Sequence, residues 1–174
     1  AFSTGTDWAY ALTRQPDGKL IAGGLVTNGA AANIGLARYD ADGELDATFG
    51  SDGLTFYNYS NACFARSIAL MPDGRIAVAG NSAVALIAAM FNADGSVDNN
   101  FNLDGVATPT LGGTAFGYAA AVQADYKLLV AGQAVQGAAQ NNFVIARYYT
   151  GMNIGIEEVA DAVSDLRVLP NPTR

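Results

Sequence analysis

Histidine is absent from this chain and cysteine occurs once, at Cys63. Without histidine there is no Ser-His-Asp triad, almost no transition-metal chemistry, and no usual base for a cysteine nucleophile. A lone cysteine forms no intrachain disulfide, so pairing says nothing about compartment, and Cys63 reads as a small buried residue of an apolar strand. Charge is scarce as well. Charged residues make up 14% of the chain, against roughly 25% in ordinary globular domains. The nine Lys and Arg are spread singly, and the net charge is −7 with a pI near 4.3. Phosphate binding needs clustered cations, so neither nucleic acid nor an anionic membrane surface is an expected partner. No run reaches the roughly 18 to 20 apolar residues that span a bilayer, so no membrane insertion is expected. The N-terminus lacks the basic and apolar segments of a signal peptide, and the chain reads as soluble and already processed or cut.

What is present is apolar and repetitive. Hydrophobic residues make up 51% of the sequence, too many for a disordered chain. The stretch Gln15-Pro16-Asp17-Gly18-Lys19-Leu20 returns as Met71-Pro72-Asp73-Gly74-Arg75-Ile76 and, worn down, as Gln123-Ala124-Asp125-Tyr126-Lys127-Leu128. Each copy stands between two apolar runs. Proline presets φ, the aspartate side chain bonds nearby backbone, and glycine accepts positive φ, so each copy predicts a hairpin turn. Residues 9–14, 19–24, 34–39 and 54–59 read as four strands of a first unit, with a loop of Gly, Ala and Asn before residue 34. Residues 66–70, 76–80, 85–91 and 106–110 repeat them, and 118–122, 128–132 and 143–149 repeat the first three. The spacing divides the chain into 1–61 (the end of a preceding repeat plus repeat 1), 62–113 (repeat 2), 114–150 (repeat 3, incomplete) and 151–174 (a linker and a C-terminal segment).

The strands are apolar on both faces: Ile76 and Val78 alternate with Ala77 and Ala79, and Leu128 and Val130 with Leu129 and Ala131. A sheet with one wet face would alternate apolar with polar, so these strands are covered on both sides. Four-stranded antiparallel units of about 50 residues stacked face to face describe an all-β, β-propeller-like repeat. A β-solenoid is the alternative, although its coils repeat at shorter periods. Small residues in each first strand (Ala9 and Ala11, Ala65 and Ser67, Ala119 to Ala121) suit crowding near a propeller axis.

The Pro-Asp-Gly turn with Lys19-Leu20 or Arg75-Ile76 is followed by the stretch from Ala37-Arg38-Tyr39 through Asp42-Gly43 and Asp46 to Phe49-Gly50, echoed by Asn92-Ala93-Asp94-Gly95 and Asp98. This combination resembles the delta-60 repeat of bacterial surface and secreted proteins, which implies a propeller-like fold without a general enzymatic activity. At the other end, Leu169-Pro170-Asn171-Pro172-Thr173 after an apolar strand resembles the opening of the C-terminal sorting domain of type IX secretion substrates in Bacteroidetes, with Leu169 where tyrosine is usual. The two resemblances imply a secreted or surface-attached protein of a Gram-negative bacterium, with the type IX machinery as a partner.

Candidate chemistry is sparse. Asp40, Asp42 and Asp46, echoed by Asp94 and Asp98, place alternating carboxylates about Asp-Gly turns and are the residues that would wrap Ca²⁺, which takes six to eight oxygens. Gly43 stands fourth in that loop where an EF-hand glycine stands sixth, and turn formation alone explains the pattern. No bound ion and no other cofactor is expected. A glycosidase-like acid pair would have to use aspartates already committed to turns, because the glutamates are only Glu44, Glu157 and Glu158. The chain is therefore not expected to be an enzyme. Trp8, Tyr57, Tyr59, Phe64 and Phe116 lie at strand or loop edges, as a contact surface or as inter-blade packing. The favoured function is a non-catalytic adhesion, binding or scaffold module; the rivals are a non-catalytic part of a polysaccharide-active enzyme and a filament-forming subunit. Three copies cannot close a ring of about 4 to 8 blades, so further blades of the same protein, or a protein partner, are expected to cover the open faces, with residues 151–163 lying across the third unit as a substitute last strand through Ile154 and Ile156.

Overall fold

The computed structural model describes residues 5–28, 31–59, 62–111, 113–136, 140–151 and 163–169. Among them there is no helix, and the strands form three antiparallel four-stranded sheets. Blade one contains β1 (Asp7–Arg14), β2 (Leu20–Asn28), β3 (Ala31–Tyr39) and β4 (Leu54–Tyr57). Blade two contains β5 (Phe64–Leu70), β6 (Ile76–Asn81), β7 (Leu86–Phe91) and β8 (Val106–Ala107). Blade three contains β9 (Ala115–Val122), β10 (Leu128–Gln136), β11 (Gln140–Tyr148) and β12 (Val163–Leu169). Each sheet is a simple meander in chain order. The all-β repeat of four-stranded antiparallel blades is thus the observed architecture. A solenoid, whose chain climbs from coil to coil, would not confine each sheet to one repeat.

The three turns are built alike. Gly18 N donates to Gln15 O at 3.0 Å and Gly74 N to Met71 O at 3.0 Å, while Asp17 and Asp73 accept the backbone N–H two residues on, both at 3.1 Å. In the third copy Tyr126 takes the glycine position and holds φ +66°. The hydrogen bonds persist: Tyr126 N donates to Gln123 O at 3.0 Å.

Packing between blades explains why the strands lack a polar face. One core cluster holds Ile21, Ile34, Leu36 and Phe49 of blade one against Ile76, Val78, Ile87, Ala89 and Phe91 of blade two. A second holds Ala77, Ala79, Leu86, Ala88, Met90 and Phe101 of blade two against Leu128, Val130, Val144, Ala146 and Tyr148 of blade three. Successive residues of β6 and β7 therefore enter different cores, and every residue of both strands is buried. The first strands adjoin: β5 contacts both β1 and β9, and Ala120 N donates to Ser67 Oγ across that line at 3.0 Å. Small side chains permit this approach.

Three expectations need correction. Of the Gly, Ala and Asn stretch expected as a loop before residue 34, the described residues are strand, because β2 and β3 stay in register out to Asn28 opposite Ala31. Buried Asn33 donates to Val26 O and Ala31 O, and Cys63 N bonds Ala32 O at 3.0 Å, so the hairpin arm has partners of its own. In blade two the strands instead stop at Asn81 and Leu86, where Ser82 N bonds Ala85 O at 2.8 Å. Second, β8 has two residues where five were expected; Pro109 has no N–H to extend the ladder.

The third correction concerns the last strand of blade three. It is 163–169, pairing with β11 so that Val168 faces Val144 and Leu166 faces Ala146 in register. Residues 151–163 were expected there; Ile154 and Ile156 lie outside the described residues. The connection length accounts for the outcome: residues 40–53, 92–105 and 149–162 separate third from fourth strands, fourteen in every blade. The apolar, β-branched run that begins at Val163 supplies the strand that this spacing calls for. Blade three is consequently a complete four-stranded sheet, and the strand ending at Leu169 belongs to it.

Candidate interaction surface

In each blade the first strand slips register by one residue against the second: between Ala9 and Ala11, between Ala65 and Ser67, and beside Gly132, which pairs with Gly117 while Ala131 pairs with Ala119. The extra residues are Tyr10, Arg66 and Tyr118. Opposite them the strands approach so closely that a Cβ on Gly24, Gly80 or Gly132 would lie 1.8, 1.8 or 1.9 Å from the carbonyl oxygen of Trp8, Phe64 or Phe116. This contact explains the glycine that ends each second-strand motif. A bulge re-aims its side chain, and here it turns large groups outward from strands of small residues.

Trp8, Tyr10 and Tyr118 are exposed. Trp8 and Tyr10 meet edge to face with ring centroids 6.1 Å apart. The Arg66 guanidinium lies 4.7 Å from the Tyr10 ring centroid and 5.6 Å from that of Phe64, and its Nε donates to Asn81 Oδ1 at 3.4 Å. An aromatic and cationic patch therefore runs across the seam of blades one and two, and Tyr118 occupies the same repeat position in blade three. Of the aromatics singled out in the sequence, Trp8 and Phe64 join this patch and Phe116 is half-buried. Tyr57 and Tyr59 pack against the core between blades one and two; Tyr57 stands edge-on to Phe91 and donates to Asp104 O at 2.8 Å. The sequence reading missed Tyr10, Arg66 and Tyr118. Aligning the copies on Gly24, Gly80 and Gly132 puts all three at one position, and that was the available signal.

The acidic candidates are held by turns and cations. Buried Asp46 accepts from Lys19 Nζ at 2.6 Å, from Arg38 Nε at 2.7 Å and from Thr48 N and Oγ1 at 3.0 and 2.6 Å. Its hydrogen bond from Lys19, followed by those from Thr48 and Arg38, holds the carboxyl well below the ordinary range despite burial. Buried Asp98 accepts from Arg75 Nη1 at 2.9 Å and Asn100 N at 3.0 Å, and Asp40 pairs with Lys19 at 2.8 Å. Asp42 accepts from Glu44 N at 3.3 Å, and Asp94 from Ser96 N and Oγ at 2.9 and 2.7 Å, which lowers the Asp94 pKa. A carboxylate that shares its oxygens with Lys and Arg is a poor calcium ligand, since the cations already occupy its field. Among the described residues, no three His, Cys, Asp or Glu side chains cluster as metal ligands.

Arg38 also ties the blades together. Its guanidinium stacks 4.6 Å from the Phe49 centroid and donates from Nη1 to Ala93 O of blade two at 2.6 Å. Gly50 N bonds Asp94 O at 2.7 Å and Thr55 Oγ1 bonds Gly95 O at 2.9 Å across the same seam. An open cleft of about 450 Å³ beside these contacts is lined by Thr48, Ser51, Thr55, Phe56, Asp94 and Ser96, among others. Its one carboxylate, Asp94, is engaged within its own turn. Of the C-terminal candidates, Leu169 ends β12, and Pro170, Asn171, Pro172 and Thr173 lie outside the described residues.

Residues 15–49 and 72–101 match the model of a β-propeller family described as a domain of unknown function, DUF5122, the delta-60-like repeat type. The matches run from the hairpin turns of blades one and two to the buried Phe49 and Phe101. A search of curated proteins finds no match to the chain.

Proposed function

We propose that this β-propeller repeat chain is a non-catalytic binding or scaffold module of a secreted or cell-surface protein of a Gram-negative bacterium, exported by type IX secretion. The observation that carries the reading is the patch of Trp8, Tyr10, Arg66 and Phe64 across the packed seam of blades one and two. Exposed aromatic rings backed by a guanidinium bind sugar faces or apolar side chains at little entropic cost, because the rings are already held. Support for a non-catalytic role comes from the carboxylates: Asp46, kept ionised by Lys19, Thr48 and Arg38, is a poor proton donor near neutral pH. The export route rests on the likeness of Leu169-Pro170-Asn171-Pro172-Thr173 to a sorting-segment opening. The same patch suits a substrate-holding part of a larger polysaccharide-active enzyme, a second reading that differs only in what the module is joined to.

A glycan array probed with the purified chain tests the patch, with saccharide binding expected for the wild type and lost in a Trp8→Ala, Tyr10→Ala double variant. A wild type that retains no glycan, or a double variant that binds equally well, overturns it. Release of reducing sugar from any bound polysaccharide overturns the non-catalytic assignment. For export, the parent protein is expected outside the cell in a type IX-competent bacterium and trapped in the periplasm when the translocon is disabled; secretion unaffected by that lesion sinks the route.

A further inference from the structure

Four cations of these blades are engaged by acids. Lys19 and Arg38 pair with buried Asp46, Arg75 pairs with buried Asp98, and Lys127 pairs with Asp125. Half-buried Arg66 is in none of the ion pairs among the described residues. Rings hold it instead. Its guanidinium lies 4.7 Å from the Tyr10 centroid and 5.6 Å from that of Phe64, at the seam of blades one and two, so the neighbours on both sides of it belong to this chain.

A tether fixes its direction. Arg66 Nε donates to Asn81 Oδ1 at 3.4 Å, and buried Asn81 is itself anchored, with Nδ2 donating to Ser82 O at 2.9 Å. Among the described residues nothing accepts from the two terminal nitrogens. Stacking uses the face of a guanidinium and leaves its in-plane N–H groups to donate. The bulges set the surroundings: Tyr10, Arg66 and Tyr118 hold one repeat position on three adjoining first strands. The cation therefore stands between two exposed rings in a row that crosses the blades.

We infer that the saccharide taken by this patch is acidic, a uronate chain whose carboxylate accepts from the Arg66 terminal nitrogens while its sugar faces lie along the tyrosine row. This rests on the patch being a saccharide site and names the sugar chemistry it selects. A planar carboxylate matches the guanidinium fork through two parallel hydrogen bonds, and charge assistance makes these about twice as strong as bonds to neutral hydroxyls. An apolar occupant would bury the cation without a partner, which is costly. The net charge of −7 provides no general attraction for polyanions. Selection falls on one positioned cation.

The test is titration calorimetry of the 174-residue chain with oligogalacturonate, oligoguluronate and oligoglucuronate, each compared with its own methyl ester, which keeps the ring and removes the charge. At least one acid is expected to bind about 10-fold or more tightly than its ester, the loss of one charge-assisted contact. Arg66→Gln, with unchanged far-UV circular dichroism, is expected to bind acid and ester alike, and Arg66→Lys to recover only part of the preference because it lacks the fork. The ester comparison uses the unaltered protein, so it stands whatever a substitution does to the fold. An ester bound as tightly as its acid overturns the inference and leaves the saccharide reading intact. A preference for the acid that persists in Arg66→Gln overturns it too, as does tighter binding of a sulfated galactan or of poly-glutamate than of every uronate. Failure of all saccharides, acidic and neutral, removes the saccharide reading itself and this inference with it.

Discussion

Replacing Gly80 with alanine probes the feature that shapes all three first strands. The added Cβ would fall 1.8 Å from Phe64 O and 2.9 Å from Phe64 C, and backbone of a paired strand has little room to yield. Restoring even 3.0 Å demands a shift of about 1.2 Å in the Phe64 carbonyl, at the point where β5 slips register against β6. Such a shift disrupts about two ladder hydrogen bonds, each worth about 1 kcal/mol net, and adds overpacking of about 1 to 3 kcal/mol. Blade two contributes to both cores, so the strain cannot be shed at a free edge. Together the expected destabilisation is about 3 to 5 kcal/mol, a fall in Tm of roughly 6 to 20 °C for a chain of this size. Thermal and urea unfolding followed by circular dichroism measure it. A Gly80→Ala variant within about 0.5 kcal/mol of wild type, a margin usual for harmless surface changes, would show that the bulge relaxes and that glycine is there for another reason.

Asp46→Ala leaves the Arg38 guanidinium buried without its carboxylate and is expected to cost about 3 kcal/mol in urea unfolding. Because the folded Asp46 pKa lies below its unfolded value, its contribution is fully present above the ordinary carboxylate range and is lost as pH falls through the folded pKa. Wild-type stability should therefore decline on acidification below about pH 4, and Asp46→Asn should flatten that decline; an unchanged acid limb would refute the assignment. The Tyr148 hydroxyl is buried without a hydrogen-bond partner among the described residues, and burial pushes its pKa up. Tyr148→Phe is expected to be neutral or stabilising by about 1 kcal/mol, and a clear loss of stability would reveal a bond to that oxygen. Cys63, fully buried with Sγ 3.7 Å from the Ala32 and Tyr57 carbonyl oxygens, should react with a thiol reagent only after denaturant is added; rapid native labelling would contradict its burial.

Local chemistry was legible in the sequence because it depends on near neighbours. Gln15-Pro16-Asp17-Gly18 and its two echoes determined the hairpins, and the strands without a polar side called for sheets stacked face to face before any contact is seen, a demand that blade two meets on both its faces. Even Tyr126, the one aromatic in a glycine position of these turns, kept its turn because the flanking strands hold it there. Only the tertiary structure decided the rest. Lys19 meets Asp46, 27 residues on, because β2 and β3 lie side by side, while the turn after β3 folds Asp46 back onto Arg38; their pairing turned candidate ligands into a buried ion network. The patch of Trp8, Tyr10, Arg66 and Phe64 arises from a one-residue slip between paired strands and from the contact of two blades, neither of which leaves a mark in composition. The fourth strand of blade three was obscured for a different reason. Its motif residues have diverged, and what persists is a connection of fourteen residues, a spacing that acquires meaning only when three sheets must be completed in the same geometry.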